Sequence, residues 1–324
     1  MPVFIQKPTL VTFHENTRYY PNVEDSVKWK TQRQGSPGSL TFSCIGDDGL
    51  KLEPGDAVYF AYGVKKVFYG FVFEIKRTAD QIIDVTAYDQ LRYFKNKAFY
   101  NYKNKTTAQL LQMIANDFRL NTGTLENSGY PISRVEKDKT LFDIAKNSME
   151  ETLRNTKQMY VLYDDFGSLT LKNIKDMAYD LLIDEETAQD YEYTRSIDKQ
   201  TYDRVKLTYE DSSAGTRKTY VAQSSASINK WGVLVYTDKV EKAEDGPKKA
   251  KALLDLYNTE TKNLTIKNAY GDCNIRAGSL LVVHLSLGDG TELSNLMLVE
   301  NCTHTFKDQE HWMDLTVRGG EFVA

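Results

Sequence analysis

The tripeptide Asp165-Phe166-Gly167 spells a kinase metal-binding loop, in which the aspartate would hold magnesium against nucleotide phosphates. That chemistry also needs a glycine-rich phosphate loop and an HRD catalytic loop, and the chain has neither. The triplet therefore reads as a hairpin turn, with Gly167 supplying a positive φ and the aspartate bonding its own backbone. No GxxxxGK loop, GxSxG elbow or HExxH pair is present. His304 and His311 flank Lys307-Asp308-Gln309-Glu310, a hairpin tip, and would face each other across two strands. Lacking a third ligand, they read as solvated rim histidines and not as a metal centre. Cys44, Cys273 and Cys302 are odd in number and widely spaced, so they read as reduced thiols packed in strands. Paired carboxylates remain the one enzymatic option, since a glycosidase needs only two acids about 5–10 Å apart with one pKa raised. Asp47-Asp48, Asp164-Asp165 and Asp184-Glu185-Glu186 supply such acids, but adjacent acids on turns read as solvated surface charge. No catalytic residue, metal or cofactor is assigned.

Composition narrows the classes further. The 324 residues hold 41 Lys+Arg against 45 Asp+Glu, a formal charge of −4, so the net basic charge that supports counterion-release binding to nucleic acid is missing. Aromatics at 12%, with 21 Tyr among them, favour packed cores over disorder. The apolar run Leu280-Leu281-Val282-Val283 stops at His284, far short of the ~20 residues that cross a bilayer, so no membrane insertion is expected. Met1-Pro2-Val3-Phe4-Ile5-Gln6 shows no basic region followed by an apolar core, so no secretory signal is read and synthesis in a cytosol is expected.

The elements that would position any site are mainly strands. Three of them, 57–62, 67–75 and 82–88, form an antiparallel meander launched by the turn Glu53-Pro54-Gly55-Asp56. Both faces of the second strand are apolar, so its outer face must be covered by another layer of this chain or by another subunit. Near Thr106 the period changes to that of a helix carrying Leu110, Leu111, Ile114, Ala115 and Phe118. Thr140 with Asp143 resembles a capping box and opens a second helix with Leu141, Ile144, Ala145, Met149 and Leu153. A strand pair over 159–163 and 168–172 completes a small mixed α/β unit. Strands return at 204–210, 218–222 and 232–237, a helix with Pro247 in its first turn spans 247–261, and four more strands close the chain.

One internal correspondence organises these elements. Pro54-Gly55-Asp56-Ala57-Val58 matches Ala277-Gly278-Ser279-Leu280-Leu281, each a glycine turn launching an apolar strand. Phe73-Glu74 then matches Val299-Glu300, and Asp84-Val85-Thr86-Ala87 matches Asp314-Leu315-Thr316-Val317, in the same order. Chance likeness between glycine-turned hairpins is the competing explanation. The expected fold is α+β and β-dominated. Two similar antiparallel β-barrel (tube-like) domains, residues 1–100 and 189–324, are separated by a small mixed α/β insert, 101–188, with the helix 247–261 inside the C-terminal region. The aromatic, amide and cationic groups packed between Tyr88 and Tyr102 suit a protein interface or a domain-joining hinge, and make Tyr88, Arg92 and Tyr93 interface candidates. The polar-tipped hairpins around Ser213-Ala214-Gly215 and Gly288-Asp289-Gly290 are expected to point to neighbours, which adds Ser213, Gly215, Gly288 and Asp289.

Five blocks in fixed order carry a resemblance. They are Ala87-Tyr88-Asp89-Gln90-Leu91-Arg92-Tyr93-Phe94-Lys95-Asn96-Lys97, Lys139-Thr140-Leu141-Phe142-Asp143-Ile144, Tyr163-Asp164-Asp165-Phe166-Gly167-Ser168-Leu169-Thr170-Leu171-Lys172-Asn173, Ile228-Asn229-Lys230-Trp231-Gly232-Val233-Leu234 and Asn263-Leu264-Thr265-Ile266-Lys267-Asn268-Ala269. Over most of its length, from about residue 50 to Gly320, the chain resembles the XkdQ/YqbQ-type hub proteins of PBSX-like defective prophages, contractile phage tails and phage-tail-like bacteriocins. The resemblance implies a structural baseplate hub, without cofactor, made in the bacterial cytoplasm and ending in the baseplate of a virion or tail-like particle. It implies a homotrimer whose paired barrels form a pseudo-sixfold ring, matching the hexameric inner tube protein to the trimeric central spike protein among other baseplate proteins. Two other functions compete: a peptidoglycan-degrading tail enzyme using the carboxylates, and a cell-wall carbohydrate-binding module using Tyr and Trp29, Trp231 and Trp312 as stacking platforms.

Overall fold

In a computed structural model, residues 7–46, 49–198, 201–211, 215–240, 243–287 and 291–319 are described. The chain divides into two compact units, Met1–Glu192 with Leu264–Ala324, and Tyr193–Asn263. The first begins with β1 (Pro8–His14), β2 (Thr17–Tyr19), β3 (Val23–Gln32), β4 (Ser39–Ile45), β5 (Ala57–Tyr62), β6 (Lys65–Arg77) and β7 (Ile82–Tyr88). The β5–β6–β7 meander is antiparallel, as the alternation predicts, and its inner face buries Val58, Phe60, Val72, Val85 and Ala87. Full burial of each large apolar side chain contributes about 1.5–3 kcal/mol.

An α/β segment follows: β8 (Lys97–Lys105), α1 (Thr107–Asp117), β9 (Thr122–Leu125), β10 (Ile132–Thr140), α2 (Leu141–Thr156), β11 (Tyr160–Asp164) and β12 (Leu169–Asn173). Both helices start where their threonines dictate. The Thr106 side chain accepts from Gln109 N–H while Gln109 Oε1 accepts from Thr106 N–H at 3.0 Å, a reciprocal capping box. Thr140 Oγ1 accepts from Asp143 N–H at 3.1 Å. The apolar stripe Leu110, Leu111, Ile114, Leu141 and Ile144 is wholly buried against β12 residues Leu169 and Leu171.

The remaining strands are β13 (Ala178–Ile183) and β14 (Ala188–Ser196), then β15 (Arg204–Asp211), β16 (Thr216–Gln223), α3 (Ser225–Trp231), β17 (Val235–Lys239) and α4 (Gly246–Tyr257). The chain closes with β18 (Thr261–Tyr270), β19 (Leu280–Leu287), β20 (Thr291–Lys307) and β21 (Glu310–Arg318). In the second unit β15 is central, antiparallel to β16 and parallel to β17, and α4 buries Ala250 and Leu253 against Val205 and Leu207. Helix α3 was not foreseen from the sequence. It covers only seven residues, too few for a periodic stripe, but carries a Ser224 cap and ends at Gly232 with φ +81°.

The fold is β-dominated α+β. It differs from the expectation of closed barrels: among the described residues the main sheet runs β14-β18-β21-β20-β3-β4-β7-β6-β5-β1-β2, with β19 and β13 branching from β20, and closes on itself nowhere. The reason is β3, which pairs with β4 on one edge and β20 on the other, so that it links two half-sheets instead of sealing one.

Candidate assembly interface

The two half-sheets repeat one turn atom for atom. Gly55, at φ +102°, donates its N–H to Val72 O at 2.8 Å, and Val72 N–H donates to Asp56 O at 2.8 Å. Gly278, at φ +99°, donates to Val299 O at 2.8 Å, and Val299 N–H donates to Ser279 O at 2.9 Å. The side chain after each glycine closes the turn: Asp56 Oδ2 accepts from Glu53 N–H at 2.8 Å, and Ser279 Oγ from Arg276 N–H at 3.1 Å. In its pairing with the following strand, β7 or β21, each long strand then shifts register at one place, between Val72 and Glu74 and between Val299 and Asn301. Beyond it Glu74 pairs with Thr86 and Asn301 with Thr316. The structure therefore aligns Val72 with Val299 and Phe73 with Glu300, one residue away from the sequence match, while Thr86 with Thr316 stands. Only glycine adopts φ near +100° without strain. At Gly278 an added Cβ would also come within 2.9 Å of Val161 Cγ1, whereas at Gly55 the space is open. Gly278→Ala is therefore expected to lower stability by about 3 kcal/mol and Gly55→Ala by about 1–2 kcal/mol, measured by urea unfolding. Equal losses would contradict the packing argument.

Strand order repeats as well. The path β3-β4-β7-β6, with β5 and β1 beyond, corresponds to β14-β18-β21-β20, with β19 and β13 beyond. One difference is that β1 lies antiparallel to β5 while β13 lies parallel to β19. The halves meet where β3 pairs antiparallel with the second half of β20, from Gln32 opposite Asn301 to Ser26 opposite Lys307. Arg33 Nε donates to Glu300 Oε2 at 2.7 Å, and the buried Ala277 N–H donates to Thr31 Oγ1 at 2.9 Å. Phe306 packs on Phe60 and Tyr62, ring centres 4.9 and 5.1 Å away. The sequence reading assigned no element before residue 50. Yet buried Val27, Trp29 and Thr31 alternate with exposed Lys28, Lys30 and Gln32, the period-two signal that could have found β3.

The expected interface residues fall in two places. Tyr88, Arg92 and Tyr93 are half-buried and gather on Phe73: Tyr88 and Tyr93 ring centres lie 5.6 and 6.1 Å from it, and the Arg92 guanidinium 5.2 Å. Gly215 sits in the β15–β16 turn at φ +63°. Ser213, Gly288 and Asp289 lie outside the described residues. Trp29 is buried and stacks on His304, one face of the half-buried Trp312 stacks on Tyr270, and Lys230 Nζ lies 5.3 Å from the ring centre of the half-buried Trp231.

The histidines correct one expectation. His304 and His311 do face each other, Nδ1 to Nε2 at 2.8 Å, but His304 is fully buried in the core and His311 half-buried, so they are not solvated rim residues. The cause is β3, which places Trp29 against His304 and covers a face that a lone hairpin would leave wet. Burial, then the neighbouring His311, pushes the His304 pKa down to about 3, and burial lowers His311 to about 4. Cys302 Sγ lies 3.1 Å from His304 Nε2 and Cys273 Sγ 3.9 Å from His311 Nδ1. These four groups form a row through opposite ring nitrogens, and among the described residues no cluster of His, Cys, Asp and Glu is arranged to hold a metal ion.

Three segments converge nearby. Asp89, after β7, is fully buried and accepts from Gly38 and Leu91 N–H at 2.8 and 3.0 Å. Asp164, at the end of β11, accepts from Gly167 N–H at 2.6 Å. Burial raises both carboxyl pKa values, Asp89 well above the usual range with the Asp164 charge adding to it, and Arg276 opposes the rise in both. Arg276 Nη1 donates to Asp164 O at 3.0 Å, with the guanidinium 4.0 Å from the Tyr163 ring centre. Nothing here forms an accessible acid pair, since both carboxylates are used in holding turns.

This arrangement is the fold of phage tail proteins. The 43 kDa tail protein of prophage MuSo2 from Shewanella oneidensis superposes with TM-score 0.70 at 14% identity, covering 98% of this chain and 100% of that one. The tail protein from Neisseria meningitidis MC58 gives 0.73 at 10% identity, covering 98% of each chain. In sequence, the phage-like element PBSX protein XkdQ of Bacillus subtilis (strain 168) is 29% identical over 319 residues, 94% of each chain. Residues 27–318 match the YqbQ-like family, and the chain belongs to that family.

Proposed function

We propose that this protein is the structural hub of a contractile-tail or tail-like-particle baseplate, working without catalysis. Three copies form a ring of six similar half-sheets, which seats the hexameric inner tube on one side and the trimeric central spike on the other, with other baseplate proteins around it. The chain is made in the bacterial cytoplasm and ends in the assembled particle. The origin of XkdQ in a phage-like element and the shared fold of the two tail proteins support the reading.

The observation that carries it is the β3–β20 joint. Because the halves correspond, each joint needs one edge like β3 and one like the second half of β20. The leftover counterparts are the outer edge of β14 and the edge of β6 beyond Phe73, and neither has a strand partner among the described residues. A head-to-tail contact of this kind generates a ring when its rotation closes, and six half-sheets make three chains. Charge favours the pairing: Lys76 and Arg77 are exposed on β6, Asp190 and Glu192 on β14. Repeated contacts around the ring then supply the avidity that one modest contact lacks. The tips around Ser213-Ala214-Gly215 and Gly288-Asp289-Gly290 are the further contacts we assign to neighbours.

Light scattering on the chain mixed with its tube and spike proteins tests the reading. The wild type is expected to form a three-copy complex. Lys76→Glu/Arg77→Glu should keep its melting temperature but fail to assemble, and adding Asp190→Lys/Glu192→Lys should restore assembly. Normal assembly by the first variant overturns the joint, and failure of the wild type to reach three copies with both partners overturns the hub.

A further inference from the structure

The corresponding outer faces of the two half-sheets differ in one respect: one is covered and the other is open. In the first, Tyr59 and Tyr69 are cross-strand partners on β5 and β6, and Phe166 at the tip of the β11–β12 hairpin lies over both, ring centres 5.3 and 5.8 Å away. This hairpin covers the second apolar face of β6 at Tyr69, while Tyr88, Tyr93 and Arg92 cover it at Phe73. By the matched turns, the counterparts of Tyr59 and Tyr69 are Val282 and Leu296, cross-strand partners on β19 and β20. On the other side of Val282, Leu182 of β13 is its direct partner. These three side chains form one row across three adjacent strands, 46% (Leu182), 41% (Val282) and 47% (Leu296) exposed. Single exposed apolar residues are ordinary on a protein surface, but an in-register row on neighbouring strands is the pattern of a contact site.

Charge says what kind of partner fits. At the covered face Lys66 Nζ lies 5.3 Å from the Phe166 ring centre, and the cap exposes the acidic Asp165 beside that phenylalanine, Asp164 being buried. Around the open face the signs are reversed. Asp180 and Glu185 are exposed, and Glu292 is exposed beside His284, its Oε2 3.8 Å from His284 Nε2. An acidic tip such as the one on this chain's own β11–β12 hairpin would be repelled there, which argues against a second copy docking in the same way.

We propose that the Leu182–Val282–Leu296 row is the docking site for a hairpin or loop tip of a different protein, one that presents an aromatic ring between Lys or Arg side chains. The ring lies on the apolar row as Phe166 lies on Tyr59 and Tyr69, and the cations meet Asp180, Glu185 and Glu292.

Two fluorescein-labelled cyclic hairpin peptides that differ only at the tip, Lys-Phe-Gly-Lys in one and Glu-Phe-Gly-Glu in the other, test this by fluorescence polarisation against the full chain. The lysine peptide is expected to bind saturably, and the glutamate peptide about tenfold or more weaker. Val282→Thr/Leu296→Thr, which removes the apolar row but keeps strand-forming side chains, and Glu292→Lys, which reverses the rim, should each weaken the lysine peptide by a similar factor while the melting temperature holds. Equal binding of the two peptides, undiminished binding to the Thr/Thr variant, or no saturation below about 1 mM overturns the proposal. So does light scattering that shows the Thr/Thr variant losing self-association that the wild type retains, because the row would then be a contact between copies.

Discussion

Arg276→Met is expected to lower the unfolding free energy at pH 7 by about 2 kcal/mol, towards the lower end of the range for a hydrogen bond from a charged donor, here Arg276 Nη1 to Asp164 O, with the Asp89 and Asp164 carboxyls in its field. The low end applies because the arginine itself is only half-buried, whereas Asp89 is fully buried and Asp164 nearly so. Methionine replaces the aliphatic stem and can still pack on Tyr163, so the loss isolates the charge. The sign of the pH dependence follows from the carboxyls. Both have pKa values raised in the folded state, so their stabilising contribution is complete below the unfolded value near 3.8 and is lost as pH rises through the folded values. Without Arg276 the folded values rise further, so the deficit of the variant should be largest at neutral pH and shrink on acidification. Urea unfolding at pH 7 and pH 5 measures both, and Arg276→Met/Asp89→Asn should recover part of the loss. A variant within 1 kcal/mol of wild type at pH 7 would show that Arg276 does not stabilise this junction through its charge.

The second large effect is acid lability at the β3–β20 joint. His304 and His311 have folded pKa values of about 3 and about 4, well below the unfolded value of about 6.5. A depressed histidine contributes stability that is present above pH 6.5 and is lost as pH falls towards the folded value, because the unfolded chain binds the proton first. At pH 5 the loss is about 2 kcal/mol for each histidine. The raised carboxyls of Asp89 and Asp164 act in the opposite direction, so the wild-type curve alone does not assign the effect. His311→Gln does: it removes one titration from the pair, and the difference between the two unfolding curves should narrow by about 2 kcal/mol from pH 7 to pH 5. Parallel curves would mean that the pair is already solvated in the native state.

Both effects concern contacts that pattern reading misses, and particular residues show why. The Asp165-Phe166-Gly167 turn was legible because a missing nucleotide loop and a glycine's φ are local facts, and the structure keeps the turn with Gly167 at φ +85°, although the side chain that accepts from the turn backbone is Asp164 and not Asp165. That Phe166 covers Tyr59 and Tyr69 was not legible, although the need for some cover on β6 was. That the two histidines meet across the hairpin was legible, although they lie diagonally, His304 opposite Met313 and His311 opposite Phe306. Their burial was missed because it depends on Trp29, from a segment in which no element had been read.

The amino-acid sequence alone determined the glycine-turned meanders, the threonine-started helices α1 and α2, the lack of any recognisable catalytic or nucleotide-binding motif and the duplication that pairs Gly55 with Gly278. These are set by backbone sterics, capping hydrogen bonds and side-chain period, which act over a dozen residues or fewer. The tertiary structure alone decided that β3 joins the halves, that one outer face is capped while its counterpart stays open, and that Arg276 reaches the Asp164 carbonyl. Such choices are made by contacts like the hydrogen bond from Ala277 N–H to the Thr31 hydroxyl, which spans 246 positions of chain. Local periodicity holds no information about which distant strand lies next to which, because every exposed strand edge offers the same unpaired backbone groups.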